Sequence, residues 1–148
     1  MIVLGEEVGL WVGEKSKTPW TWACQAIGWQ RDGRLVAGIL YDTYTGASVC
    51  MHSRVDGPHK VSRTWLAAIF DYPFNQLGLK RVTAMASTAN ARAIALNEHC
   101  GFKREALLRD YYDDGDAIVY VMTADRCKWL QYADKYLQDS RIEVQTWA

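Results

Sequence analysis

The side chains best equipped for chemistry in this 148-residue chain cluster between Asp42 and Arg63, with a second group between Ser87 and Gly101. His52 is the leading proton acceptor, because an imidazole with a pKa of about 6.5 takes and releases protons near neutrality. Asp42 and Glu105 are weaker candidates for the same role. The bland alternative is that His52 is a strand histidine on the outer face of a sheet. His52, Asp56 and His59 are also metal-ligand types, but their spacing matches no ligand signature and no metal is expected. Cysteines stand at 24, 50, 100 and 127. None forms a C-x-x-C pair or sits beside histidines at zinc spacing, so all four read as reduced thiols, with Cys50 and Cys100 as small core residues.

These residues need elements to position them. From Arg81 to Phe102 the chain reads RVTAMASTANARAIALNEHCGF. Val82, Ala84 and Ala86 alternate with Thr83, Met85 and Ser87, as in a buried strand. Ser87, Thr88 and Asn90 offer oxygens to cap a helix over Ala91–Cys100, and Gly101 suits a left-handed stop. Upstream, Cys24–Gln30 and Leu35–Tyr41 flank an Asp32-Gly33 hairpin signal, and a turn near Thr45-Gly46 leads into a strand over Ala47–Val55. Residues Glu6–Ser16 predict a short helix weakened by Gly9 and Gly13. The tryptophans of the Thr18–Trp22 loop are expected to pack on the core. Val61–Leu77 predicts the main helix, with Trp65, Leu66, Ile69 and Phe70 on its apolar face and a kink at Pro73. Phe102–Tyr112 and Ala117–Thr123 predict a last hairpin. Ala124–Leu137 predicts a final amphipathic helix with Trp129, Ala133, Tyr136 and Leu137 inward.

The register Asn90-x-x-Ala93-x-x-Leu96-x-Glu98-x-x-Gly101-Phe102 resembles a segment of the GNAT-superfamily acyl-CoA-dependent N-acetyltransferases. There it usually reads N-x-x-[AS]-x-x-L-Y-E-K-x-G-F. The hairpin around Asp32-Gly33, with Gly38 inside the following aliphatic strand, is similar to that family's β2–β3 hairpin. A plain capped core helix is the alternative for the first match. The resemblance implies one α/β GNAT-like domain over residues 1–148, with a mixed central sheet of about six to seven strands and helices on both faces. It implies acetyl-CoA as cosubstrate and an amine-bearing acceptor that attacks the thioester directly. The pyrophosphate would fall to the segment carrying Arg54, Val55, Gly57, His59, Lys60, Ser62 and Arg63, and Asn90 would face the cofactor. His52 would be the general base. Two departures stand out. The family's [QR]-x-x-G-x-[GA] loop is matched only through Arg54-x-x-Gly57, with Pro58 and His59 following. Asn97 replaces the tyrosine that protonates the leaving thiolate in many members, and an amide can only hydrogen-bond there.

Composition bounds the rest. Lysine plus arginine equals aspartate plus glutamate, 17 each, which argues against tight nucleic-acid or anionic-membrane binding. Seven tryptophans and eight tyrosines point to aromatic packing around a cleft or to a contact surface. Acidic Glu6 and Glu7 follow the opening MIVL, and no apolar run reaches the ~20 residues of a membrane helix, so a cytoplasmic protein is expected. A homodimer is compatible with these features. Trp11, Trp20, Trp22 and the acidic Asp110, Asp113 and Asp114 would favour a cationic or aromatic acceptor. The transferase reading demands one geometry: the strand over Val49–Val55 and the strand over Val82–Ala86 must run parallel and part after Cys50 and before Thr88. The competing reading is a non-catalytic module of the same fold that binds CoA or a protein partner.

Overall fold

The computed structural model describes residues 1–57 and 62–137, the side chains of 136 and 137 excepted. The expected phosphate-loop residues His59 and Lys60, and Val61 at the predicted helix start, lie outside the described residues, as do the side chains of Tyr136 and Leu137.

Seven strands form one mixed sheet: β1 (Ile2–Leu4), β2 (Gln25–Arg31), β3 (Arg34–Asp42), β4 (Ser48–Val55), β5 (Arg81–Ser87), β6 (Lys103–Tyr112) and β7 (Gly115–Thr123). Their order is β1-β2-β3-β4-β5-β7-β6. β4 and β5 are parallel and every other neighbouring pair is antiparallel. The β2–β3 hairpin turns through Asp32 at φ 50° and Gly33 at φ 76°. Two consecutive positive φ values match the right-handed twist of the flanking strands, which is why the Asp-Gly pair specifies this turn.

Helices cover both faces. α1 (Glu6–Ser16) packs Val8 and Val12 against Ala26 and Leu40 on one face. The glycines that make α1 a poor helix by propensity are what let it sit close. A Cβ on Gly9 would run into the Trp20 ring, and one on Gly38 of β3 would come within 2.7 Å of Val12. Tertiary contact outweighs the ~1 kcal/mol propensity cost of a helical glycine. On the other face lie α2 (Arg63–Asp71), α3 (Ala91–Cys100) and α4 (Ala133–Leu137). Trp65, Leu66, Ile69 and Phe70 of α2 join Val49 and Met51 of β4, Val82 and Ala84 of β5, and Cys100 in the main core. Among the described residues, no helix is long and apolar enough to cross a membrane.

Three expectations are corrected. The main helix is shorter than Val61–Leu77: α2 stops at Asp71 and the chain continues through one π-turn over Tyr72–Gln76. Pro73 disturbs the regular ladder there, the Leu77 N–H reaches back to the Tyr72 carbonyl, and Asn75 and Gln76 close the turn on the Asp71 carboxylate. The final helix is not continuous. Residues Ala124–Arg126 and Lys128–Tyr132 form 3₁₀ turns, separated by an extended Cys127, before α4 begins. This places the Trp129 indole N–H 2.7 Å from the Cys100 carbonyl, a buried bond that outweighs local helix preference. Lastly, Trp20 packs on α1 but Trp22 is 93% exposed, so only one of the two loop tryptophans serves the core.

Candidate active site

The sheet opens between β4 and β5. Their pairing runs Ser48–Arg81, Val49–Val82, Cys50–Thr83 and Met51–Ala84, and there it ends. β4 stays paired with β3 out to Val55, and β5 stays paired with β7 out to Ser87. The two strands therefore part while each remains anchored on its far side. The pleat fixes which backbone groups face the gap. The Asp56 N–H bonds the Val36 carbonyl, so residues 50, 52 and 54 share that phase and point to β3. The N–H and C=O groups of Ser53 and Val55 then point away from β3, into a space where β5 has withdrawn.

Side chains alternate in the same way. Met51, Ser53 and Val55 line a slot on the α2 face, completed by Trp65, Leu66, Ile69 and Phe70 of α2 and by Leu96, Asn97 and Cys100 of α3. The Asn97 carboxamide has no hydrogen-bond partner among the described residues. The slot's mouth lies between the end of β4 and the starts of α2 and α3. Ser62 caps α2, its Oγ accepting from the Trp65 N–H at 3.1 Å. Asn90 caps α3, its Oδ1 accepting from the Ala93 N–H at 3.1 Å. Gly57 takes a positive φ of 71°, a conformation that favours glycine. Its carbonyl accepts from the Arg92 guanidinium at 2.7 Å, so the first turn of α3 is tied across the mouth to the end of β4.

Among the described residues, Arg54 and Arg63 are engaged elsewhere. The Arg54 guanidinium lies 4.1 Å over the Trp11 ring, donates to the Trp11 carbonyl at 2.7 Å, and forks onto Asp56 at 2.9 and 3.1 Å. It thus clamps α1 and the end of β4 on the face opposite the slot, and its hydrogen bond holds the Asp56 carboxyl below the usual carboxylate range. Arg63 faces the Tyr132 ring at 5.2 Å.

His52 shares the α1 face with Arg54. Its Nε2 is 2.8 Å from Asp42 Oδ1, and the two side chains are 24% and 25% exposed. The expectation of Asp42 as a rival base gives way to a pair. Glu105, the other rival, is bound to Arg81 at 3.0 Å. Cys50, also on this face, is half-buried, and burial followed by the Asp42 charge pushes its thiol up. Cys100 and Cys127 are pushed up to about 11 by burial, which leaves them poor nucleophiles. Among the described residues, no group of three or more His, Cys, Asp or Glu side chains could hold a metal.

Sequence reasoning did not single out Arg92 or the pairing of Asp42 with His52. The signal for Arg92 was its place two residues past the Asn90 cap. Asp42 and His52 are diagonal neighbours across an antiparallel ladder, which no single-strand pattern reveals.

No protein-family model matches the chain, and no curated protein matches it. Solved structures do. Mutant forms of the spermidine/spermine N-acetyltransferase SpeG from Vibrio cholerae align with a TM-score of 0.66 over 95% of this chain and 99% of that one, at 16% identity. A dodecameric structure of the V. cholerae spermidine N-acetyltransferase aligns at 0.65 over 95% and 98%, at 15% identity. The same enzyme in complex with CoA and spermine aligns at 0.59 over 70% and 68%, at 19% identity. At these identities the likeness establishes the fold: the mixed seven-stranded sheet with its helices is the GNAT fold.

Proposed function

We propose that the protein is an acetyl-CoA-dependent N-acetyltransferase acting on an amine by direct attack. The observation that carries this reading is the parting of β4 and β5 after Met51 and Ala84, with the backbone of Ser53 and Val55 turned into the gap. An extended arm bearing amides can pair there as an absent strand would. The same N–H groups are placed to polarise a carbonyl held between the strands. The pyrophosphate is assigned to the mouth: the amides near Gly57, the uncapped N–H groups of the first turn of α2 with their partial positive charge, and Arg92. The family position of Asn90 borders the same mouth. Val55 and Ser62 contribute backbone and cap geometry, and His59 and Lys60 remain cation candidates for this role. Arg54 and Arg63 are assigned to packing, because their guanidinium groups hold α1 and the C-terminal turns.

The bound thioester supplies an activated acyl carbon. The acceptor is assigned to the α1 face of the gap, opposite the slot that takes the cofactor arm, and there His52 takes one proton from its ammonium group, leaving a neutral amine whose lone pair forms the C–N bond. The C–S bond breaks, the second amine proton ends on the departing thiolate, and His52 returns its proton to solvent. No acyl-enzyme forms, consistent with thiols whose pKa values are raised. Asn97 can donate a hydrogen bond to the sulfur but not a proton. That feature favours a second reading, a CoA-binding module without turnover.

The acceptor is an amine, and polyamines head the panel to test, since the V. cholerae enzymes of this fold are named for spermidine and spermine. A preference for acidic acceptors would count against the acidic β6–β7 tip as the acceptor's neighbour. The deciding experiment is thermal unfolding with acetyl-CoA, followed by thiol release with the amine panel. At a hundredfold excess over Kd, a ligand bound only by the native state stabilises by about 2.7 kcal/mol. No shift at millimolar acetyl-CoA refutes both readings. A shift without thiol release selects the binding module.

A further inference from the structure

We propose that Asp42 is the positioning residue for His52, holding the imidazole as its Nε2–H tautomer so that Nδ1 is the nitrogen that receives the acceptor's proton. The proposal rests on the acyl-transfer reading above and adds to it a specific nitrogen and a residue that sets it.

Asp42 closes β3 and His52 lies in β4, on the α1 face of the sheet, with Cys50 opposite Asp42 and Leu40 opposite His52. The ring therefore leans across the ladder to its diagonal neighbour, and Nε2 stops 2.8 Å from Oδ1. A carboxylate only accepts, so Nε2 carries the hydrogen. A neutral imidazole protonated on Nε2 has its lone pair on Nδ1. Among the described residues nothing else bonds the ring, so Nδ1 is left to an incoming group. Asp42 is itself held. The backbone turns left-handed at Thr43, with φ 53°, an unfavourable conformation for a β-branched residue. The Thr43 hydroxyl then donates to Asp42 Oδ1 at 3.3 Å. A strained residue that fixes the carboxylate fits a position maintained for its geometry rather than for local stability.

The other charged or titratable groups on this face have their own engagements. Arg54 of β4 is bound to Asp56 and Trp11, and Glu14 of α1 lies 3.8 Å from that same guanidinium. Arg81 of β5 is bound to Thr83 and to Glu105 of β6. Cys50 neighbours Asp42, and burial keeps its thiol protonated near neutrality. Among the described residues, Asp42 is the ion-pair partner of His52.

The test follows the His52 ring by nitrogen NMR in the resting protein, in wild type, Asp42→Asn and Asp42→Glu, alongside kcat and KM for acetyl-CoA. The wild-type ring is expected as the Nε2–H tautomer. In Asp42→Asn the carboxylate that only accepts is replaced by an amide that can also donate, so the ring is expected to populate the Nδ1–H tautomer. There kcat is expected to fall about tenfold to a hundredfold, a share of the 10²–10⁴ that a general base contributes, while KM for acetyl-CoA holds. Asp42→Glu restores the tautomer and part of the rate. A wild-type ring protonated on Nδ1 overturns the proposal with no variant needed. So does a folded Asp42→Asn protein whose ring keeps the wild-type tautomer and whose kcat is unchanged, or a loss that falls on KM for acetyl-CoA instead of kcat. If the wild type transfers acetyl groups and any of these results is found, the acyl-transfer reading stands and the Asp42 assignment alone fails. If the wild type neither binds acetyl-CoA nor transfers, both fail.

Discussion

Proline scanning of β4 separates the gap from the ladder. The Ser53 and Val55 N–H groups point into the gap, whereas those of Cys50, His52 and Arg54 share the phase that bonds β3. Proline deletes an N–H and fixes φ, and sheets tolerate it where that N–H bonds no neighbouring strand. Ser53→Pro and Val55→Pro should therefore fold, with stability within about 1 kcal/mol of wild type, since a compatible proline also restricts the unfolded chain. Cys50→Pro, compared with Cys50→Ala to subtract the side chain, loses a β3 bond. It also leaves the carbonyl of half-buried Asp42 without its donor, at a cost of up to about 1–3 kcal/mol. Function should invert this order. If one gap-facing N–H polarises the thioester carbonyl, deleting it lowers kcat by about 10²–10³. The other, pairing with an amide of the cofactor arm, should weaken binding by about 0.5–1.5 kcal/mol, roughly two- to twelvefold in Kd. Thermal unfolding, calorimetry with acetyl-CoA and thiol-release kinetics read the three quantities. Folded Ser53→Pro and Val55→Pro proteins with wild-type affinity and rate would refute the gap as the acyl site.

Three further outcomes test neighbouring claims. Arg92→Ala should weaken acetyl-CoA about tenfold, the scale of a hydrogen bond to a charged group, in a salt-sensitive way, and leave binding of a pantetheine analogue without phosphates unchanged; competition titrations decide. Asp56 is held below its ordinary value by Arg54, so the unfolded chain binds the proton first as pH falls. The stabilisation is present above the usual aspartate range, about 3.9, and is lost as pH drops through the depressed folded value. The melting-temperature gap between wild type and Asp56→Asn should thus be open at pH 7 and close towards pH 2. Cys100 and Cys127, buried with pKa values pushed up to about 11, should resist alkylation at pH 8 until the protein unfolds, as mass spectrometry of quenched samples would show.

Much of the architecture was legible because it is local. Asp32-Gly33 can only turn one way between aliphatic strands, and Asn90 and Gly101 bracket α3 with cap chemistry that the structure reproduces atom by atom. Where tertiary contacts compete with local preference, the reading failed. Pro73 was read as a kink at the end of a long helix, yet it sits in a π-turn locked by Asp71. The apolar spacing of Ala124–Leu137 suits a helix, yet the Trp129 bond to Cys100 requires a broken one. Arg54 looked like a phosphate ligand because Arg54-x-x-Gly57 matches half of the loop pattern of the family it resembles, but strand alternation sends its side chain to α1, away from the slot lined by Ser53 and Val55.

By itself the order of residues determined the elements, their caps and turns, and the neighbouring parallel strands that a βα unit imposes, since these depend on contacts within a few residues or on chain reversal rules. It also placed a histidine on β4. Only the folded chain decided that the pairing of β4 with β5 runs through Met51 before it ends, that Arg92 reaches Gly57 across the opening, and that His52 answers to Asp42. Those outcomes come from packing α2 and α3 against one face and α1 against the other. They join residues ten to some thirty-five positions apart, and no periodicity in the sequence encodes such a distance.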